Sequence, residues 1–342
     1  MNFKSDNIAG AAPEILAALA ACNEGPASAY GEDEWTARVN AAFAQLFGRE
    51  VDVYLTGTGT AANAIGLAAM TQPWRSILCH RKAHIETDEA GAPDFFTGGA
   101  KLVLIDGPDA KFAPEALEEA LTRNRRGVHS VHPGVISISN ATERGAVYRP
   151  EEIRALAAIA HREGLGLHLD GARIANAVAH LSCDVRALTI EAGVDVMTFG
   201  ATKNGALGVE AIIVFDRDRA RDIATRRKRG GHLFSKHRFL AAQMLAYLGN
   251  DLWLRNAARA NAMAQRIGAA AGDWVSASVE ANQVFIKPGV AMLARLRAAG
   301  AQFYHWGPED AGEARLVISW DQDEKSVSRL CETLRSLRGE AA

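Results

Sequence analysis

The chain has 342 residues, with 38 Lys plus Arg against 40 Asp plus Glu and a formal net charge of −2. So even a balance, without a basic face, excludes the electrostatic footprint of a nucleic-acid or anionic-membrane binder, and the length suits one large unit with a smaller appendage. Cys22, Cys79, Cys183 and Cys331 are widely separated, with no Cys-x-x-Cys or Cys/His metal spacing. No metal is expected, and the thiols are expected to be reduced in a cytoplasmic protein.

Residues 1–30 read as an N-terminal arm with one helix over 13–21, broken by Asn23-Glu24-Gly25-Pro26. Asp6 and Glu14 interrupt its apolar character and no basic segment precedes it, so a signal peptide is not expected. No window approaches the roughly 18 uncharged apolar residues of a membrane span. Tyr30-Gly31-Glu32-Asp33 reads as a polar loop, and 34–47 as an amphipathic helix.

From residue 51 short apolar runs alternate with helical patterns. The expected strands are 51–55, 76–79, 101–105, 135–139, 165–169, 194–199 and 211–215; the expected helices include 61–70, 114–124, 150–163 and 173–180. Strands apolar on both faces and alternating with helices predict a mostly parallel sheet covered on both sides. Residues 31–250 therefore form the expected large unit. Within it, Arg226-Arg227-Lys228-Arg229 before Gly230-Gly231 reads as a solvated last helical turn. After residue 250 the texture changes to a long Ala-rich helix over 252–271, helices 290–299 and 323–337, and strands 303–306 and 315–320. This predicts a small α+β unit over 251–342.

Four segments carry candidate chemistry. Thr56-Gly57-Thr58-Gly59-Thr60-Ala61-Ala62-Asn63 follows the first strand and opens a helix. Small residues and a helix N-terminus suit a phosphate, although a strand–helix turn capped by threonine explains the same letters. It is neither a Walker loop nor a Gly-x-Gly-x-x-Gly fingerprint. His84 follows the second strand, where an imidazole can stack on a flat cofactor and act as acid or base. Asp170, in His168-Leu169-Asp170-Gly171-Ala172-Arg173, and Lys203, in Gly200-Ala201-Thr202-Lys203, each end an apolar run. Period-two alternation puts His168 on the same face as Asp170, beside it or as a buried structural histidine. An amine and a carboxylate delivered to one cleft suit pyridoxal phosphate, the amine binding its aldehyde and the carboxylate keeping its ring nitrogen protonated.

In order and spacing, Phe3-Lys4-Ser5-Asp6, Tyr30-Gly31-Glu32-Asp33, Thr58 to Asn63, Ala83-His84, Glu89-Ala90-Gly91, His168 to Arg173 and Thr202-Lys203 resemble the low-specificity L-threonine aldolases. These belong to the β-eliminating lyase group of fold-type-I pyridoxal phosphate enzymes. The resemblance implies that Lys203 holds the cofactor, Asp170 pairs with its ring nitrogen, Thr58, Gly59 and Thr60 bind its phosphate, and His84 stacks on it near the substrate hydroxyl. It further implies that Ser5, Arg173 and Arg315 grip the substrate carboxylate, Arg173 also adjoining the cofactor. The implied assembly is a homotetramer, a dimer of dimers in which Tyr30 and Lys236 reach the neighbouring subunit's site. Two positions depart from the pattern. Glu143 stands where many members carry a second histidine, which makes it a candidate base or specificity residue. Lys236 stands near, not at, the place of a phosphate-binding arginine. The implied reaction is retro-aldol cleavage of L-threonine or L-allo-threonine to glycine and an aldehyde. A phenylserine-type aldolase and another fold-type-I β-lyase are the alternatives.

Overall fold

The computed structural model describes residues 1–123 and 127–341. Asn124, the expected end of one helix, and Ala342, the expected end of the small unit, lie outside them. Strands β1 (Asp52–Thr56), β2 (Arg75–His80), β3 (Lys101–Ile105), β4 (His132–Ser139), β5 (Gly166–Gly171), β6 (Val196–Gly200) and β7 (Glu210–Val214) form one sheet in the order β1-β7-β6-β5-β4-β2-β3. β2 to β6 run parallel, and β7 lies antiparallel between β1 and β6. The mostly parallel α/β sheet expected from the apolar runs is the observed one.

Both faces of the sheet are covered, which is why β5 and β6 are buried along their whole length. Val196 packs against the helix Gly59–Met70, through Ala61, Ala62 and Ile65. Met197 and Phe199 sit in the large core on the opposite face, with Leu167, Leu169 and Phe43. His168 and Asp170 share the face that meets helix Gly59–Met70.

A second sheet, β8 (Gln283–Ile286), β9 (Tyr304–His305) and β10 (Ala314–Val317), is antiparallel in the order β8-β10-β9. A separate apolar cluster lies with it, containing Val284, Leu293, Leu316 and Leu330. Helix Leu252–Ala271 joins the two cores, with Trp253 in one and Met263 in the other. The chain start docks on the small sheet: Phe3 N–H donates to Gln302 O at 2.8 Å, and Val317 N–H donates to Phe3 O at 2.9 Å. Phe3 is fully buried there. This anchor delivers the following residues, Asp6 and Asn7, to the mouth of the large sheet.

Two of the differences from expectation are instructive. Helix Arg238–Leu248 has no counterpart among the expected elements, because its Leu240–Met244 stretch is buried on several sides and lacks an amphipathic period. The basic run does end helix Ile223–Arg229 before Gly230, but Arg227 is buried and donates to Leu55 O at 3.1 Å. That turn is therefore not wholly solvated.

Candidate active site

β5 and β6 end side by side, with Asp170 paired to Thr198 and Gly171 to Phe199. The turns beyond them pack too closely for any side chain at two positions. A Cβ on Gly171 would lie 2.4 Å from Thr198 O, and one on Gly200 2.4 Å from Ala172 O. This close approach brings Lys203, in the single turn Thr202–Asn204, to the same cavity as Asp170. Glu210, at the head of β7, caps that turn by accepting from Ala201 N–H at 2.8 Å. Burial, then the Arg173 charge, hold the Lys203 amine below its ordinary range. A depressed amine pKa favours the neutral, nucleophilic form.

The loop after β1 forms another wall of the cavity. Thr58 caps helix Gly59–Met70, its Oγ1 accepting from Ala61 N–H at 3.2 Å, while Thr56 Oγ1 donates to Thr58 O at 3.1 Å. Gly57 to Thr60 and Thr202 line the cavity. The first amides of the helix, with its dipole, suit an anion.

Asp170 is held from two sides. Its Oδ1 accepts from Ala172 N–H and its Oδ2 from Asn63 Nδ2, both at 2.9 Å. Burial alone would raise this carboxyl. His84, the Ala172 amide, Lys203 and His168 outweigh burial and keep it below the usual range, so it is ionised. His168 lies beneath it, with Nδ1 3.0 Å from Ser137 Oγ, and burial lowers its pKa to about 4. A neutral His168 is a packed support.

Asn63 also donates to Glu89 Oε1 at 2.9 Å, and its Oδ1 accepts from Thr198 Oγ1 at 2.7 Å. The same Glu89 oxygen lies 2.8 Å from His84 Nδ1. That contact is the largest cause of a raised His84 pKa. Burial in turn raises Glu89. Glu143 faces the cavity from the loop after β4. Its Oε1 accepts from Ser139 Oγ at 2.6 Å and from His84 N–H at 2.9 Å, while its Oε2 is buried without a partner. Desolvation raises this carboxyl too.

Arg173 caps the helix Ile174–Leu181 and lines the cavity. Its Nε and Nη2 donate to Asp6 Oδ2 and Oδ1 at 2.8 and 3.0 Å. Asn282 Nδ2 adds a third contact to Asp6 at 3.1 Å. Burial would raise Asp6, but Arg173, Lys203 and these bonds hold it ionised, below the usual range. Arg315, on β10, has its guanidinium over Trp306 at 5.3 Å and a buried Nε without a partner. Burial and the neighbouring Arg173 lower its pKa, and Asp6 works against them. Arg173 is paired to Asp6, whereas Arg315 feels that carboxylate only through its charge, which leaves positive charge for an incoming anion.

The cavity brings together Thr58, Gly59, Thr60, His84, Glu143, Asp170, Arg173 and Lys203. Ser5, Tyr30, Lys236 and Arg315 do not line it. Ser5 caps the turn Asp6–Ile8 by accepting from Asn7 N–H at 3.1 Å. Tyr30 is half exposed beneath the Lys228 ammonium at 4.3 Å, and Lys236 is exposed. Sequence reasoning missed the roles of Asp6, Asn63, Glu89 and Glu210. Glu210 left one usable signal, a lone acid heading the apolar run Ala211-Ile212-Ile213-Val214.

The donor set fits pyridoxal phosphate. A buried amine faces the cavity, an ionised buried carboxylate suits a protonated ring nitrogen, and a helix N-terminus suits the phosphate. Among the described residues no group of three or more His, Cys, Asp or Glu is placed to hold a metal. The family described as beta-eliminating lyase matches residues 2–288. A low specificity L-threonine aldolase of Pseudomonas aeruginosa is 43% identical over 98% of both chains. The structure of a Leishmania major threonine aldolase superposes with a TM-score of 0.92 at 29% identity, covering 98% of this chain and 99% of the other. A rice protein, TDC, solved with PLP and tryptamine, shares the fold at a TM-score of 0.75 and 15% identity, over 99% of this chain and 83% of that one. Sheet order, cavity and sequence converge: this chain belongs to the beta-eliminating lyase family, in the group of the low-specificity L-threonine aldolases.

Proposed function

We propose that this pyridoxal phosphate-dependent lyase cleaves the Cα–Cβ bond of L-threonine, L-allo-threonine and related β-hydroxy-α-amino acids, giving glycine and an aldehyde. The observation that carries this reading is one cavity holding a buried amine, an ionised carboxylate, and a histidine flanked by a second acid. Bound pyridoxal phosphate supplies an electron sink for the pair released at Cα.

Lys203 is the amine that would hold the cofactor through its aldehyde. Asp170 would keep the proton on the ring nitrogen, and Thr58, Gly59, Thr60 and Thr202 would hold the phosphate. Arg173, braced by Asp6, grips the substrate carboxylate with Arg315 and the Ser5 segment. That grip sets the Cα–Cβ bond for overlap with the ring. His84, which lines the same cavity, would lie against the ring and take the β-hydroxyl proton at Nε2. Glu143, whose carboxyl pKa is raised by burial, presents its unpaired Oε2 to the same hydroxyl. A positioned base contributes about 10²–10⁴-fold.

The same reading gives a homotetramer in which Tyr30 and Lys236 complete a neighbour's site, supported by their exposure away from their own cavity. It places the enzyme in the cytoplasm, supported by four unpaired cysteines and by the lack, among the described residues, of any helix long and apolar enough to cross a membrane.

The test is aldehyde release from L-threonine and L-allo-threonine by the cofactor-loaded protein. Release with equimolar glycine is the expected result. A yellow protein that releases none from either, but cleaves phenylserine, moves the substrate class to aryl side chains. Pyruvate formation instead would replace aldol cleavage with β-elimination.

A further inference from the structure

Glu89 is a carboxylate buried at the edge of the cavity, and no step above uses it. We propose that Glu89 is the positioning residue of the proton-transfer step: it accepts a hydrogen bond from Nδ1–H of His84, leaves Nε2 as the free base, and through Asn63 locks that imidazole to the same bracket as Asp170.

The geometry is specific. Glu89 Oε1 accepts from two directions, His84 Nδ1 at 2.8 Å and Asn63 Nδ2 at 2.9 Å. The Glu89 side chain is fully buried and its Oε2 finds no partner. Burying a carboxylate so incompletely paired costs stability, so packing alone does not account for an acid here. Asn63 has one orientation that satisfies its surroundings. Thr198 Oγ1 reaches its Oδ1 at 2.7 Å, which turns Nδ2 toward both Glu89 and Asp170. One amide thereby spaces two carboxylates and fixes the histidine side of the cavity relative to the cofactor side.

The chemistry follows from which nitrogen is engaged. With Nδ1–H donated to Glu89, neutral His84 carries its lone pair on Nε2. When Nε2 takes a hydroxyl proton, the imidazolium is stabilised by an adjacent carboxylate that keeps its own charge, and no proton passes to Glu89. The arrangement follows the logic of a carboxylate orienting a catalytic histidine. The other charged groups facing His84 are Asp170 on β5, which favours its protonation, and Lys203 after β6, which opposes it. Glu143 meets His84 only at its backbone N–H, and Arg173 lies across the cavity.

This inference rests on the aldol-cleavage reading for its kinetics alone; the state of His84 is read independently. The first arm is spectroscopic: in full-length holoenzyme labelled at histidine, the signal missing from His84→Gln is titrated in wild type and in Glu89→Gln. The expected result is a His84 pKa lower by a unit or more in Glu89→Gln, because the charge that favours the cation is gone. The second arm is kinetic. Glu89→Gln is expected to lose about 10²-fold in kcat with KM for L-threonine little changed, and the acidic limb of its kcat profile is expected to move to lower pH. The double variant His84→Gln/Glu89→Gln is expected to be no slower than His84→Gln alone, since Glu89 acts through His84. An unmoved His84 titration, or losses that add in the double variant, overturns the proposal. If no variant and no wild type cleaves β-hydroxy amino acids, the reaction assignment fails while the titration still decides the pair.

Discussion

The two halves of the cavity are built on different principles. On the cofactor half, Asp170 and Lys203 are delivered by neighbouring parallel strands whose ends are locked in register and pressed together at Gly171 and Gly200. Their positions are set by backbone. On the substrate half, side chains hold side chains: Asp6 braces Arg173, Ser139 holds Glu143, and Glu89 holds His84. These come from loops and from the chain terminus. The difference teaches where function can change. A substitution on the first half removes the cofactor chemistry, whereas one on the second half retunes rate, affinity and pH response on an intact scaffold.

The largest expected effect lies on the cofactor half. Lys203→Ala is expected to abolish turnover, a loss beyond the roughly 10²–10⁴-fold of a missing general base. His84→Ala is expected to fall within that smaller range and to leave residual activity. Steady-state kinetics on both, with cofactor content measured by absorbance, checks the contrast. Equal losses with cofactor still bound would remove the distinction between the halves.

Next comes the brace on Arg173. Asp6→Asn keeps the shape of Asp6 but leaves Arg173 without its bidentate anion. The KM for L-threonine is expected to rise about tenfold, with kcat changed much less, because a guanidinium fork grips well only when held in plane. Removing one partner of a buried pair also destabilises by roughly 3–5 kcal/mol, visible as a lowered melting temperature. A lower KM would instead mean that Asp6 competes with substrate for Arg173.

The legibility of the two halves in the sequence follows the same division. Strand alternation and the residues ending each apolar run disclosed Asp170 and Lys203, since β5 and β6 are local patterns with fixed side-chain phase. The loop after β1 was equally legible, because capping and small residues act within a few positions. Asp6 and Arg173 are 167 residues apart, and no periodicity links a terminal arm to a helix cap. Glu89 lies five residues from His84, yet only the short helix His84–Thr87 and its turn bring the two side chains together. The helix Arg238–Leu248 escaped because burial on several sides erases the amphipathic signal. Sequence thus reveals what backbone geometry places and conceals what side chains settle among themselves.

Glu143 tests whether a neutral acid sits beside the base. If burial keeps its proton on, Glu143→Gln replaces one neutral donor by another and costs less than about tenfold in kcat, whereas Glu143→Ala costs more. With its pKa raised, the proton is lost only as pH climbs through the raised value, so wild type is expected to show an alkaline limb in kcat that Glu143→Gln lacks. An alkaline limb that persists in Glu143→Gln assigns it to another group.

The smallest expected effect concerns Glu210, the acid that belongs to the backbone-built half. Burial pushes its pKa up to about 7, opposed by hydrogen bonds from Thr202 and Ala201 and by the Lys203 charge. A folded-state pKa above the unfolded one means that the folded state binds the proton more tightly. The stability this contributes is complete below the unfolded pKa and is lost as pH rises through about 7. Wild type is therefore expected to lose up to about 3 kcal/mol between pH 5 and 8 from this group. Glu210→Gln, which keeps an oxygen for the Ala201 amide, is expected to flatten that slope with kcat moved only a few-fold. Chemical denaturation of both proteins at the two pH values measures the difference. A kcat loss as large as that of His84→Ala would instead make Glu210 part of the proton-transfer machinery, and the cofactor half would then also depend on side chains holding side chains.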